Sequence, residues 1–154
     1  MTKHFYKLAI TFILLLQSSG FPQFWEYQVS GTTQHLNGVH MLDTQIGWIC
    51  GDAGTLLKTS NSGQNWTQVN ATVNDLNSIL FKDASLGVAV GDDGTIIRTT
   101  NGGTNWFVVA SGTTEQFRKV SSGSGNTFFA AGDNGLISVS TDNGATWNLK
   151  NAGT

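Results

Sequence analysis

A chain of 154 residues is the size of one domain. Charged residues make up only 12% of it, against 19 glycines and a single proline, Pro22; this turn-rich globular composition excludes a highly charged disordered chain. The formal net charge of −2 argues against the clustered basic face that nucleic-acid binding calls for.

The first residues differ from the rest. Lys3 and Lys7 precede the apolar run Leu8–Leu16, and the small residues of "QSSG" follow it. This pattern predicts a secretory signal peptide over 1–20, cleaved near Gly20. A membrane anchor is the alternative, but the apolar run falls short of the roughly 20 residues that span a bilayer. Cleavage takes the formal charge from −2 to −4 and leaves an exported chain, periplasmic, extracellular or at the cell surface, that does not span the membrane. The one cysteine, Cys50, can form no internal disulfide. Its counterparts in the repeats described next are Val90 and Ala131, which marks it as a buried structural thiol.

Trp25, Trp66, Trp106 and Trp147 are separated by 41, 40 and 41 residues. Gly51, Gly91 and Gly132 keep the same step, as do Gly54, Gly94 and Gly135, and Leu36, Leu76 and Phe117. A period near 40 points to a propeller or a solenoid. The interior of the unit decides between strands and helices: "LNSILF", "LGVAVG", "TIIRTT" and "NWFVVA" are short runs rich in β-formers, separated by "KDAS", "DDG" and "NGGT". Four antiparallel strands per 40 residues make one propeller blade. The fold class is therefore all-β: a partial propeller with an orphan outer strand over 24–30 and blades at about 36–70, 76–110 and 117–150.

The polar motifs fall where such blades must turn. Gly51, Asp52 and Gly54, then Gly91, Asp92 and Gly94, then Gly132, Asp133 and Gly135 join the second and third strands, where positive φ is needed. A cation bound by these aspartates around one rim is the alternative. "TSNSGQNW", "TTNGGTNW" and "STDNGATW" join the third and fourth strands. In them Asn61, Asn101 or Asp142 caps the turn, Gly63, Gly103 or Gly144 supplies the unusual dihedral, and Trp66, Trp106 or Trp147 fills space between sheets. An amide cannot act as a carboxylate base, so asparagine at two of the three positions favours architecture over catalysis.

The last motif resembles the Asp-box, or bacterial neuraminidase repeat, S/T-x-D-x-G-x-T-W. The whole unit "LNSILFKDASLGVAVGDDGTIIRTTNGGTNW" is similar to the repeat of the photosystem II stability and assembly factor family, over about Trp25 to Trp147. The resemblance implies a propeller whose box turns are structural and face away from any binding site. It also implies a protein-interaction scaffold, with Arg98 and Arg118 as the candidate partner-binding residues. Sialidase chemistry, the other implication of the box, needs three arginines on the substrate carboxylate, a tyrosine nucleophile with a glutamate partner, and an acid. Beyond the leader the chain has Arg98, Arg118, Tyr27, Glu26 and Glu115. The expectation is an exported, non-enzymatic scaffold with no catalytic residue, no metal (His35 and His40 lack ligand spacing) and no cofactor. Its expected partner is a protein. A carbohydrate-binding or sialidase-like propeller is the alternative, with Trp48 as a possible exposed sugar platform. Three blades fall below the roughly four to eight of a closed ring; a chain continuing past Thr154 is favoured over a ring shared between copies.

Overall fold

The computed structural model describes residues 27–150, so the predicted leader lies outside the described residues. Three four-stranded antiparallel sheets follow one another along the chain. The first holds β1 (Leu36–Met41), β2 (Gly47–Gly51), β3 (Leu56–Thr59) and β4 (Thr67–Gln68). The second holds β5 (Leu76–Phe81), β6 (Gly87–Gly91), β7 (Ile96–Thr99) and β8 (Phe107–Val108). The third holds β9 (Phe117–Ser122), β10 (Phe128–Gly132), β11 (Ile137–Ser140) and β12 (Asn148–Lys150), with Asp133–Gly135 as a single 3-10 turn. Each sheet is a simple meander, and each pairs its second and third strands in the same register: Ile49 faces Leu57, Ala89 faces Ile97 and Ala130 faces Ser138.

These are propeller blades, and their hydrophobic faces pack on one another. Trp48, Cys50 and Leu56 of blade 1 share a buried cluster with Leu76, Ile79, Phe81, Ala89 and Ile97 of blade 2. One step on, Val88, Val90 and Ile96 of blade 2 meet Phe117, Val120, Phe128 and Ala130 of blade 3, with Trp147. Both faces of blade 2 are thus covered, which is why β6 is buried along its whole length and reads as an unbroken apolar run. The core lies between sheets and not within any one of them.

Two details concern the outer strands. The outer strands β4 and β8 are only two residues long, and one further bond carries each pairing on in the same register, Val69 N donating to Leu56 O at 2.7 Å and Val109 N to Ile96 O at 2.9 Å. Of the segment expected as an orphan outer strand, residues 27–30 are described, and they pair with no strand. An outer strand needs the third strand of its own blade beside it, and no described strand occupies that place. Gln28 instead lays its carboxamide on the first box turn, Nε2 donating to Ser62 O at 3.3 Å.

Candidate interaction surface

Antiparallel meanders put alternate turns at opposite ends of the blades. At one end stand the three box turns. Each begins with a hydroxyl closing the last turn of its third strand: Thr59 Oγ1, Thr99 Oγ1 and Ser140 Oγ accept from Gly63 N, Gly103 N and Gly144 N at 2.9–3.0 Å. The cap residue then gathers that hydroxyl and a later amide. Asn61 Oδ1 accepts from Thr59 Oγ1 and Asn65 N, and Asn101 Oδ1 from Thr99 Oγ1 and Asn105 N. Asp142 accepts from Ser140 Oγ at 2.7 Å and Thr146 N at 2.9 Å, and adds Thr146 Oγ1 at 2.6 Å. The bonds from Thr146 and Ser140 hold the Asp142 carboxyl down to about 2. Gly63, Gly103 and Gly144 sit at φ 83°, 78° and 79°, where a side chain is strained.

The opposite end carries the hairpins between second and third strands, packed on the connectors that enter each blade. Their central residues Ala53–Gly54, Asp93–Gly94 and Asn134–Gly135 all have positive φ, as primed hairpin turns require. Asp52, Asp92 and Asp133 precede those pairs, and each accepts a bond from the first strand of its own blade. Asn37 Nδ2 reaches Asp52 Oδ1 at 2.8 Å and Asn77 Nδ2 reaches Asp92 Oδ1 at 2.8 Å. Arg118 forms a two-pronged pair with Asp133, both contacts at 2.8 Å, raising its own pKa and lowering that of the carboxyl. The two asparagines also reach across the blade boundary, to Leu76 O at 3.2 Å and Phe117 O at 2.8 Å. Asp75 caps the neighbouring hairpin through Ala53 N at 2.7 Å, and Asn134 donates to Glu115 Oε2 at 2.7 Å. The result is a continuous polar rim running over all three blades, with Arg118 as an exposed cation near its third-blade end.

The alternative of a rim cation meets a different geometry. The three aspartates lie on separate blades, each already bonded to an amide or a guanidinium, and among the described residues no three His, Cys, Asp or Glu side chains converge. His40 lies beside Phe81, and burial lowers its pKa. Burial also pushes the Cys50 thiol up to about 12, so the sulfur stays protonated within the core.

Arg98 is not on this rim. It donates Nε to the carbonyl of Asn143 at 2.7 Å, reaching from the third strand of blade 2 to the box turn of blade 3. Lys58, forty residues earlier, does the same for blades 1 and 2 through Gly102 O at 3.0 Å. Trp48 is likewise an inter-blade residue: it is 1% exposed, stacks on Phe81 with centroids 5.1 Å apart and meets Trp106 edge-on. This corrects the reading of Trp48 as a possible sugar platform. Asn37, Asn77 and Lys58 were not singled out by sequence. Their signal was present as identical or like residues one repeat apart, Asn at 37 and 77 and a cation at 58 and 98.

Four-stranded blades, each with a box turn between its third and fourth strands and packed face to face with recurring side-chain bridges, define an Asp-box β-propeller protein. Residues 17–112 match the family model of the photosynthesis system II assembly factor YCF48, and the chain belongs to that family. Among solved structures, YCF48 bound to D1 peptide superposes with a TM-score of 0.68 at 24% identity, covering 77% of this chain and 41% of that one. YCF48 from Cyanidioschyzon merolae gives 0.66 at 20% identity, covering 77% and 40%. An ancestral GH74 enzyme gives 0.65 at 19% identity, covering 78% of this chain and 19% of that one. The chain thus spans about two fifths of the YCF48 structures it resembles. No curated protein matches it.

Proposed function

We propose that this protein is an exported, non-enzymatic propeller scaffold that holds an extended protein segment on its hairpin rim. Family membership carries the reading, together with the likeness to a YCF48 structure whose partner is a peptide. The rim suits that role physically. It is a rigid, repeating strip of amides, carboxylates and one exposed guanidinium, set on strands that do not need to move. Arg118, half turned to solvent from its pair with Asp133, is the side chain available to a partner carboxylate or carbonyl. Arg98 serves the blade stack in this reading, and the box-turn end faces away from the partner. Export rests on the leader predicted over 1–20.

The test is a binding screen of the chain against an array of extended peptides and, in parallel, a glycan array with a chromogenic sialoside assay. Peptide capture lost in Arg118→Ala and Asp92→Asn, and kept in Arg98→Ala, supports the scaffold. Glycan capture or sialoside turnover without peptide binding replaces it with the carbohydrate reading.

A further inference from the structure

The outer flank of blade 1, on the side that meets blade 2, carries a polar hollow of about 330 Å³. Lys58, Ser60, Asn61, Asn65, Thr67 and Val69 line it. That volume is at the low end of the roughly 300–1,000 Å³ of small-molecule sites, room for a ligand of one ring. The walls follow from the strand pairing. Lys58 and Thr67 stand opposite each other in β3 and β4, so their side chains share one face of the sheet. Two residues along each segment, Leu56 and Val69 belong to the core between blades 1 and 2, which fixes the direction of that face. The box turn after β3 supplies Ser60, Asn61 and Asn65.

Lys58 is held in place before any ligand arrives. Its Nζ donates to Gly102 O at 3.0 Å and lies 5.0 Å from the centre of the Trp48 ring. These contacts fix the ammonium without neutralising it: among the described residues the one ion pair is Arg118 with Asp133. Asn61 Oδ1 accepts from Thr59 Oγ1 and from Asn65 N, each at 3.0 Å, which leaves the Asn61 Nδ2 as a free donor. Ser60, Asn65 and Thr67 are exposed, so two hydroxyls and a carboxamide are open to a ligand. Among the described residues the lining holds one cation and no carboxylate or aromatic ring. Such a set attracts a single negative charge and bonds hydroxyls beside it, but gives a neutral sugar no ring to stack on. One repeat on, Arg98, Asn105 and Val109 keep the pattern, while Phe107 replaces the Thr67 hydroxyl with a bulky ring.

We propose that this hollow is a binding site for a small polyhydroxylated carboxylate, a molecule of the size and chemistry of one sugar acid. Lys58 receives the carboxylate. Asn61 Nδ2, the Asn65 carboxamide and the Ser60 and Thr67 hydroxyls receive the ligand's hydroxyl groups, and Val69 backs its apolar edge. The site is built entirely from side chains of blade 1, with blade 2 holding the cation in position. It lies at the box-turn end, away from the hairpin rim, and stands whether or not a peptide binds there.

Titration of the isotope-labelled chain with D-glucuronate, neutral D-glucose and acetate, followed by amide chemical shifts, tests it. Glucuronate is expected to move the amides of Asn65, Thr67 and Gly102 and to leave those of Arg118 and Asp133 in place. It should bind about 10-fold or more tightly than glucose, which lacks the charge, and than acetate, which lacks the hydroxyls; this is the scale of one charge-assisted hydrogen bond. Asn65→Asp sets a like charge against the ligand, and Thr67→Phe installs the residue of blade 2; each should weaken glucuronate by about 10-fold or more. Both positions are exposed, so the variant spectra should show the fold intact. Lys58→Gln should bring glucuronate down to the level of glucose, and because Lys58 also bridges to Gly102, the two exposed variants carry the test should that one fail to fold. No shift at these amides overturns the proposal. So does equal binding of glucose or acetate, or glucuronate binding that survives Asn65→Asp and Thr67→Phe.

Discussion

The Trp48 ring of the first blade lies against Gly103 of the second, in the space that a Cβ on that glycine would need. Gly103 is therefore required twice over, by its φ of 78° and by its neighbour. Gly125, at φ 58°, has nothing near its missing Cβ and isolates the backbone effect. Gly125→Ala should cost about 1–2 kcal/mol, the strain of a left-handed alanine. Gly103→Ala should cost that and about 1–3 kcal/mol more for overpacking. Equal losses in chemical denaturation would mean that Trp48 yields freely and the contact is loose.

Trp48 and Trp106 meet edge-on at 5.7 Å, yet they carry unequal weight. Trp48 is 1% exposed and touches both Phe81 and the box glycine; Trp106 is half-buried, and its indole nitrogen has no partner. Trp48→Ala should destabilise by about 3–5 kcal/mol, the range for truncating a large buried aromatic. Trp106→Ala should cost less, and thermal unfolding of the pair gives the order directly. A larger loss at Trp106 would place the inter-blade plug on the evenly spaced tryptophans and not on Trp48.

The order of those two residues also marks where the sequence was legible. Strands, hairpins and box turns could be read because each rests on local chemistry: Asn or Asp followed by Gly, between short runs of β-formers. Repetition then turned three weak signals into one firm reading. Contacts between blades were less visible, because they join residues about 40 positions apart through side chains whose direction a one-dimensional pattern does not give. Arg98 and Arg118 look alike in sequence, both arginines on short strands. The fold sends one into the next blade's turn and leaves the other on the rim. Trp48 looked optional because Val88 and Phe129 replace it. All three occupy the same position of a second strand, one repeat apart.

The separate fates of the two arginines give a stability contrast. Arg98 Nε satisfies the Asn143 carbonyl across a blade boundary, so Arg98→Ala should cost about 1–2 kcal/mol through the unmet acceptor and the lost bridge. Arg118 pairs with Asp133 in the open, where screening and side-chain entropy cancel most of the gain. Arg118→Ala should leave the melting temperature unchanged. A reversed order would move the inter-blade staple away from Arg98.

Asp142 differs from Asn61 and Asn101 in being able to titrate. Its carboxyl, ordinarily near 3.8, is held to about 2 by Thr146 and Ser140, so the folded protein binds this proton less readily than the unfolded chain. A depressed carboxyl stabilises the fold above its unfolded value, and that contribution fades as pH falls from 3.8 through about 2. Asp142→Asn keeps the acceptor that Asn61 and Asn101 use, but loses both the charge and the second oxygen that receives Thr146 Oγ1. Wild type should therefore unfold at higher temperature than Asp142→Asn above 3.8, and the gap should narrow steadily as pH approaches 2. Asp43, Asp83 and Asp133 are also depressed by their own bonds, so both proteins lose stability in acid and only the difference between them reports on this site. A gap that stays constant across that window would show that the bonds around Asp142 are indifferent to its charge.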